Sequence, residues 1–197
     1  MSQNMKKITL EDLGYDRFFE SDIKKTELKD YKIARIIAEY KEAYKAKCPE
    51  GEYLAKISGK QMFNALSRKD YPAVGDWVLT APLDKDSSLI ERILPRKTIL
   101  RKKYCNKQES QIIAANIDVA FIIESVDRDF NLNRLERYFV LAKDGQIRSA
   151  VILNKIDLIS DDELSAITVR IKNRFSDMEI FPTSTFLKRG MDELRHF

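Results

Sequence analysis

Three polar residues with a fixed spacing, Asn154, Lys155 and Asp157, follow directly on an apolar run. An ionised Asp can accept two hydrogen bonds side by side, which is a strong and directional contact. An Asn amide can donate, and a Lys stem can lie along a flat ring while its ammonium group stays in water. Guanine presents acceptors at O6 and N7 and a donor at N2, with N1–H as a second donor. The three residues therefore predict recognition of a guanine base.

The apolar run before them, Ala150 to Leu153, has the composition of a strand buried on both faces of a parallel sheet. Ligands of open α/β sheets bind beyond the carboxyl ends of the strands, where the three polar residues lie. Asn-Lys-x-Asp after such a strand resembles the guanine-specificity motif of GTPases. The alternative is that Asn154 and Asp157 are ordinary turn and helix-cap residues.

The segments around this strand complete an α/β pattern. Residues 119–124 predict another buried strand, and residues 131–141 predict a helix that stops at Gly145. The strand–helix–strand unit is expected to be right-handed. Three further elements are predicted after it: a helix opened by Asp161, Asp162 and Glu163, a strand at 179–181, and a helix that begins at Gly190. The apolar face of the first helix is predicted to consist of Leu132, Leu135 and Phe139, with Tyr138 as a further candidate.

The first half of the chain has a different, β-rich pattern. Residues 1–30 are interpreted as an N-terminal extension whose Leu10, Leu13, Phe18 and Phe19 pack on a neighbouring domain, with Thr9 as a helix cap. Residues 31–115 are interpreted as a small closed barrel of short strands, an OB-fold. Its strands are predicted at 33–40, 52–57, 77–80 and 89–94.

Basic and aromatic residues in the loops and at the exit of this barrel favour RNA binding, because cations contact phosphates and rings stack on bases. The alternative is a basic face that is merely solvated. The candidate RNA-binding residues are Arg68, Lys69, Tyr71, Arg96, Lys97, Arg101, Lys102 and Lys103, with Tyr104 beside them.

Composition limits the classes of protein. The chain has 197 residues, of which 44% are hydrophobic and 34% charged, with a net charge of +4. We expect a soluble, cytoplasmic protein, since there is no long apolar span and no signal-peptide core. Cys48 and Cys105 are isolated and are expected to be free thiols. His196 is the only histidine, so histidine-based catalysis is not expected.

The motifs together resemble those of the ribosome small-subunit-dependent GTPase family, RsgA/YjeQ, whose GTPase domain is circularly permuted. The order supports this, because the guanine motif follows a barrel instead of lying late in the GTPase domain. The matching stretches are residues 71–78, 94–97, 114–118, 129–132, 137–138 and 153–158, followed by Thr183-Ser184-Thr185 and residues 190–194. The resemblance implies two domains, the barrel and a partial α/β P-loop-type GTPase domain with a parallel sheet over residues 116–197.

The resemblance also implies a function. Such proteins bind and hydrolyse GTP and act late in assembly of the small ribosomal subunit, with the barrel on ribosomal RNA. Guanine contacts carry over to Asn154, Lys155 and Asp157. They also carry over to Thr183, Ser184 and Thr185, although Thr185 replaces the family's usual Ala. The family further implies magnesium with GTP, zinc in a C-terminal region, a monomeric parent protein and no membrane partner.

The sequence has no Gly-x-x-x-x-Gly-Lys-Ser/Thr phosphate loop and no Asp-x-x-Gly for the magnesium side. We therefore expect the chain to correspond to the N-terminal part of a family member, to lack GTPase activity alone, and to hold no cofactor tightly. No catalytic residue and no metal ligand is predicted within it. The alternative function is an RNA-binding module without nucleotide chemistry.

Overall fold

The computed structural model describes residues 8–23, 29–41, 43–84, 86–103 and 110–197, without the side chains of Asn64 and Lys103. The chain divides into two compact units, Met1–Ile117 and Asp118–Phe197. Tyr104 and Cys105, for which the sequence makes predictions, lie outside the described residues, as do parts of the predicted N-terminal extension. Among the helices of the described residues, none combines the length and the hydrophobicity needed to cross a bilayer.

The first unit contains a closed barrel with the strand order β1-β2-β3-β5-β4, in which β1 also pairs with β4. Its interior is apolar and includes Ala34, Ile36, Val78 and Ile90. The prediction of a closed barrel is confirmed. The strands are β1 (Lys32–Glu39), β2 (Tyr44–Cys48), β3 (Gly51–Ile57), β4 (Trp77–Pro82) and β5 (Ser87–Ile93).

Strand β2 is absent from the sequence prediction, which is wrong at this point. Its residues alternate between buried Tyr44, Ala46 and Cys48 and partly exposed Lys45 and Lys47. The strand forms because this alternation lets one face line the barrel while the two lysines reach Glu52 on β3. The alternation is a period-two signal, but it covers only five residues, and two of them are lysines, which are uncommon in strands.

The N-terminal segment packs on the outer face of β4, because successive strand residues point to opposite faces. Trp77 and Leu79 form a second cluster with Tyr15, Phe19 and Leu94, and Leu10 and Leu13 pack against it. The predicted packing of Leu10, Leu13 and Phe19 is confirmed. Phe18 is instead 43% exposed. The segment contains a 3₁₀ turn at Glu11–Leu13 and helix α1 at Arg17–Glu20.

A short helix and a hairpin complete the unit. Helix α2 (Gly59–Asn64) and a 3₁₀ turn at Arg68–Asp70 connect β3 to β4. Strands β6 (Ile99–Lys103) and β7 (Ser110–Ala115) pair antiparallel, so the backbone of residues 101–103 lies in a strand and not in the loop that the sequence analysis predicts. Gly75 has φ +92°, and a Cβ there would lie 2.0 Å from the Ala115 carbonyl oxygen. The close approach of the two backbones requires glycine.

The second unit is built on a parallel three-stranded sheet with the order β10-β9-β8. Its strands are β8 (Val119–Ser125), β9 (Arg148–Asn154) and β10 (Glu179–Pro182). Strand β9 is central, and Ala150 to Leu153 are buried, as the apolar run predicts. Strand β8 is an edge of this sheet within the described residues, and it exposes Phe121 at 44% and Ile123 at 65%.

Helices pack on this sheet with the predicted start and stop signals. Helix α3 (Leu132–Asp144) begins at the cap Asn131 and ends at Gly145, and helix α4 (Asp161–Arg174) has a capping box between Ser160 and Glu163. Helix α5 (Met191–Arg195) follows Gly190. Leu132, Leu135 and Phe139 join the apolar core, whereas Tyr138 is 51% exposed, contrary to the prediction.

Candidate functional site

The three loops that follow β8, β9 and β10 meet at one edge of the parallel sheet. Ser125 is opposite Asn154 in the pairing of β8 with β9, and Pro182 is opposite Leu153 in the pairing of β10 with β9. Parallel strands bring their carboxyl ends to the same edge, which is the usual ligand position in such sheets. The fold therefore places Asn154, Lys155 and Asp157 beside residues 183–185, as a common guanine site requires.

The backbone after β9 turns sharply so that one residue anchors the loop. Lys155 has φ +65°, in the left-handed region that is unusual for a residue with a side chain. Ile156 is buried, and its N–H donates to the Thr183 carbonyl oxygen at 3.2 Å. Lys155 and Asp157, on either side of it, are exposed. The turn thus presents the two charged side chains to solvent from a fixed backbone.

Ser184 holds the Asp157 carboxylate in position. The Ser184 hydroxyl donates to Asp157 Oδ1 at 2.5 Å and accepts from the Leu187 N–H at 3.0 Å. Ser184 is fully buried, and its backbone pairs with Arg189 in both directions. Asp157 Oδ2 accepts no hydrogen bond from the described residues. The carboxylate is oriented through Oδ1, which can accept a second hydrogen bond, and Oδ2 is available to a ligand.

Thr183 orients the Asn154 amide. Its hydroxyl lies 3.3 Å from Asn154 Oδ1, and its N–H donates to the Leu153 carbonyl oxygen at 2.7 Å. With Oδ1 turned toward the Thr183 hydroxyl, the Nδ2 group of Asn154 is the part of the amide that can donate to a base. Thr183 and Ser184 are buried supports of the site, and Thr185 is exposed.

Gly190 closes the loop that contains these supports. It has φ +72°, and a Cβ there would lie 2.0 Å from the Pro182 carbonyl oxygen. The loop from Ser184 to Arg189 can therefore fold back on β10 only with glycine at this position. This geometry keeps the Ser184 hydroxyl beneath Asp157.

Asp127, which the sequence analysis misses, fixes the Lys155 side chain. Lys155 Nζ donates to Asp127 Oδ2 at 2.7 Å, and the Asp129 N–H donates to Asp127 Oδ1 at 3.0 Å. The Lys155 hydrogen bond lowers the pKa of Asp127 to about 2. A lowered pKa stabilises the fold above the unfolded value of about 4, and that stabilisation is lost as the pH falls toward 2. The signal available in the sequence is that Asp127 follows β8 at the same sheet edge.

An ion pair with a buried carboxylate supports the loop that carries Asp127. Glu124 on β8 is 1% exposed and accepts from Arg134 Nε and Nη2 at 2.8 and 2.7 Å. Arg134 Nη2 also donates to the Asp129 carbonyl oxygen at 2.6 Å. Arg134 on α3 thereby links the loop at Asp129 to Glu124 on the sheet.

We expect Asp127→Ala to weaken guanosine binding about two- to fivefold, the size of effect given by an exposed ion pair. Lys155 would lose the contact with Asp127 that orients its side chain in the predicted guanine site. A fluorescent guanosine analogue titrated into the chain measures the change. The matched control is Asp129→Ala, which removes an exposed carboxylate two residues away and keeps the backbone contacts. Equal affinities of the two variants would contradict the role of Asp127.

The candidate RNA-binding residues fall into separate groups in the first unit. Arg68 and Lys69 are exposed on the 3₁₀ turn, Tyr71 follows them half-buried, and Arg101 and Lys102 are exposed on β6. The Lys103 side chain lies outside the described residues.

Arg96 and Lys97 instead make contacts within the unit. Arg96 donates to both carboxylate oxygens of fully buried Asp76, at 2.7 and 2.6 Å. It also donates to the Lys69 and Tyr71 carbonyl oxygens at 2.8 and 2.9 Å. Lys97 Nζ contacts Asp16 and lies over the Phe19 ring at 5.0 Å. With its guanidinium occupied by four acceptors, Arg96 is a support for residues 69–76.

Within the described residues, no group of three or more His, Cys, Asp or Glu side chains is arranged to hold a metal ion.

Comparison with known proteins decides the family. A family model described as RsgA GTPase matches residues 93–197, more than half of the chain. The chain belongs to the RsgA GTPase family. The predicted two-domain fold class, a barrel followed by an α/β unit of circularly permuted GTPase type, is confirmed by this match and by the strand order of both units.

Curated relatives of this RsgA-family chain are named small ribosomal subunit biogenesis GTPases. RsgA 2 of Lactiplantibacillus plantarum is 39% identical over 129 residues, which cover 66% of this chain and 37% of the relative. RsgA 1 of Listeria innocua is 34% identical over 185 residues, which cover 94% of this chain and 50% of the relative. The chain thus spans at most about half the length of these relatives.

Two solved structures of the RsgA fold are similar to this chain. YjeQ from Thermotoga maritima gives a TM-score of 0.66 at 23% identity, over 84% of this chain and 56% of that one. YloQ, described as a circularly permuted GTPase, gives 0.62 at 22% identity, over 85% and 56%. At these identities the likeness concerns the fold.

Proposed function

We propose that this chain recognises guanine nucleotides and RNA as part of a GTPase that acts in late assembly of the small ribosomal subunit. Membership in the RsgA family and the names of the curated relatives support the proposal. The observation that carries it is the arrangement after β9, where the Ser184 hydroxyl donates to the Asp157 carboxylate and the Thr183 hydroxyl donates to Asn154 Oδ1. These hydrogen bonds orient an acceptor and a donor for a base. The proposed partners are the RNA of the small ribosomal subunit and a guanine nucleotide. The proposed location is the cytoplasm, and the parent protein is proposed to be a monomer.

In the proposed complex each guanine edge meets one side chain. Asp157 accepts from N1–H and the N2 amino group, and Asn154 Nδ2 donates to N7 or O6. The Lys155 stem lies along one face of the base, held by Asp127. Adenine lacks the N1–H donor and the N2 amino group, so Asp157 would face an acceptor and bind it poorly.

The same proposal assigns this chain no turnover of GTP by itself. GTP hydrolysis depends on electrostatic stabilisation of the transferred phosphoryl group by a phosphate loop and magnesium. The sequence has no Gly-x-x-x-x-Gly-Lys motif, and the described residues contain no cluster suited to a metal. The residues that hold magnesium in phosphate-loop and Asp-x-x-Gly motifs are not among those of this sequence, and we derive no catalytic step. Zinc is likewise assigned to the parent protein, outside this chain.

Nucleotide binding separates this function from the alternative of an RNA-binding module. A fluorescent guanosine analogue should bind and be displaced by guanosine, GDP and GTP with affinities within a few-fold of one another, since the base supplies the contacts. ATP should not displace it. No binding of the guanosine analogue would support the RNA-binding module instead, and GTP turnover that Asp157→Ala abolishes would refute the assignment of no activity.

RNA binding is proposed for the exposed cations of the barrel unit, Arg68, Lys69, Arg101 and Lys102, with Lys103 beside them. We expect Arg101→Glu combined with Lys102→Glu to reduce co-sedimentation with small ribosomal subunits. The wild-type affinity should fall steeply with salt because contacted phosphates release counterions. Lys143→Glu combined with Lys172→Glu makes the same change in charge on exposed residues of the second unit and is the control. If the two double variants co-sediment equally, β6 is only a solvated basic strand.

A further inference from the structure

The barrel unit contains a cleft of about 460 Å³ that is lined by aromatic and basic side chains. Tyr40, Tyr44 and Tyr71 contribute rings to it, and Lys41 and Arg68 contribute charge. A second cleft of about 330 Å³ shares the three tyrosines and adds Lys56 and Met62. We call this surface the tyrosine cleft. Two of its rings, Tyr40 and Tyr44, belong to no sequence motif and are brought to Tyr71 by the fold.

The three rings differ in how they face the solvent. Tyr40 is 53% exposed, Tyr71 is half-buried, and Tyr44 is 8% exposed at the inner side. Burial raises the pKa of Tyr44 to about 12, in keeping with its place at the inner side of the cleft. The cleft thus offers the accessible rings of Tyr40 and Tyr71 beside a third ring that is buried. An exposed ring such as that of Tyr40 can stack on the flat base of a ligand.

Both walls of the cleft are held by hydrogen bonds. On one side, the Tyr71 carbonyl oxygen accepts from Arg96, which is itself fixed by buried Asp76. The Ala73 N–H donates to the Asp76 carboxylate at 2.8 Å in the same segment. On the other side, the Tyr40 N–H donates to the Ala43 carbonyl oxygen at 2.8 Å. Little conformational freedom has to be lost when a ligand enters a site with fixed walls.

Most of the charged side chains described around the rings are basic. Lys41 and Arg68 are exposed and form no ion pair within the described residues. Among the described residues that line the larger cleft, Glu39 is the one acidic side chain. Free cations beside accessible rings suit a ligand that has flat bases joined by phosphates. A helix or strand of a protein partner without acidic side chains would match the rings but not the cations, and an acidic peptide is therefore one arm of the test below.

We propose that the tyrosine cleft binds an unpaired nucleotide of RNA, with the base against Tyr40 and Tyr71 and the phosphates on Lys41 and Arg68. The inference rests on the proposed function, in which RNA is a partner of this unit. It adds that the bound RNA is single-stranded. Base-paired RNA keeps its bases stacked within the helix and cannot present one to a protein ring without disruption.

Fluorescence anisotropy with the full chain tests this inference, with a labelled single-stranded RNA of about 10 nucleotides and a duplex of the same length. Tyr40→Ala and Tyr71→Ala should each weaken single-strand binding about tenfold, since a stacked ring is lost. Their salt dependence should equal that of the wild type. Arg68→Gln should instead lower the salt slope by about one, because it removes one phosphate contact.

Further variants separate stacking from a structural role. Tyr40→Phe and Tyr71→Phe keep a ring and should bind as the wild type does, which also shows that substitution is tolerated there. Tyr138→Ala is the matched control, because Tyr138 is a 51% exposed tyrosine of the second unit. The duplex should bind equally to all tyrosine variants.

The inference is overturned if the Ala variants bind single-stranded RNA as well as the wild type, or if the wild type does not bind it. It is also overturned if an acidic peptide binds with the same affinity and loses that affinity in the same variants. Small-subunit co-sedimentation distinguishes the two levels of proposal. Co-sedimentation that is normal in Tyr40→Ala and Tyr71→Ala refutes the cleft alone, whereas its absence in the wild type refutes the proposed function.

Discussion

Replacing Asp157 by Asn is expected to weaken guanosine binding about 100-fold and to favour xanthosine instead. The carboxylate accepts from two donors of guanine, and hydrogen bonds to charged groups contribute about 1.5–3 kcal/mol. An Asn side chain accepts from N1–H but places an NH₂ group against the N2 amino group. Xanthine has a carbonyl oxygen at that position, so the amide matches both of its groups.

Titration with fluorescent guanosine and xanthosine analogues measures this change. Asp162→Asn is the matched control. Asp162 is an exposed acid in the first turn of α4, and its substitution removes the same charge close to the site. Ser184→Ala should weaken guanosine binding by a smaller factor, because the Asp157 carboxylate loses the hydrogen bond that orients it. It should not favour xanthosine, because the carboxylate is retained. Unchanged guanosine affinity in Asp157→Asn would refute the guanine site itself.

Replacing Arg96 by Ala is expected to lower the free energy of unfolding of the barrel unit by about 3–5 kcal/mol. Asp76 is fully buried, and removal of its partner leaves an uncompensated charge. The Lys69 and Tyr71 carbonyl oxygens would lose their donor as well. We therefore expect weaker binding of single-stranded RNA in the same variant, because Tyr71 forms a wall of the tyrosine cleft.

Urea unfolding followed by the fluorescence of Trp77 measures this loss, since Trp77 is the only tryptophan and is fully buried in the barrel unit. Lys97→Ala is the comparison. Its pair with Asp16 is more exposed, 30% and 50% for the two side chains, and should contribute under about 1 kcal/mol. Combining Arg96→Met with Asp76→Asn should recover part of the stability by removing both charges. An Arg96→Ala variant as stable as Lys97→Ala would refute the burial argument.

Local sequence determined the elements whose signals lie within a few residues. The apolar run at 150–153 predicts a buried central strand, and the acids after Ser160 and the glycine at 145 predict where helices begin and end. The guanine prediction rests on the same kind of information, because Asn154, Lys155 and Asp157 all lie within one short turn. The periodicity of apolar residues, the helix caps and the spacing of motif residues are properties of the local sequence, so they can be recognised without knowledge of the fold.

The tertiary structure decided which polar groups are occupied and which are free. Arg96 and Arg68 are the same residue type in neighbouring basic stretches, yet Arg96 meets Asp76 twenty residues away while Arg68 remains exposed. Asp127 reaches Lys155 across 28 residues, and Tyr40 shares a cleft with Tyr71. These outcomes depend on strand order and register, which bring distant segments to one edge or one wall. No local pattern encodes those distances, because the partner of each side chain is fixed only when the sheet and the barrel close.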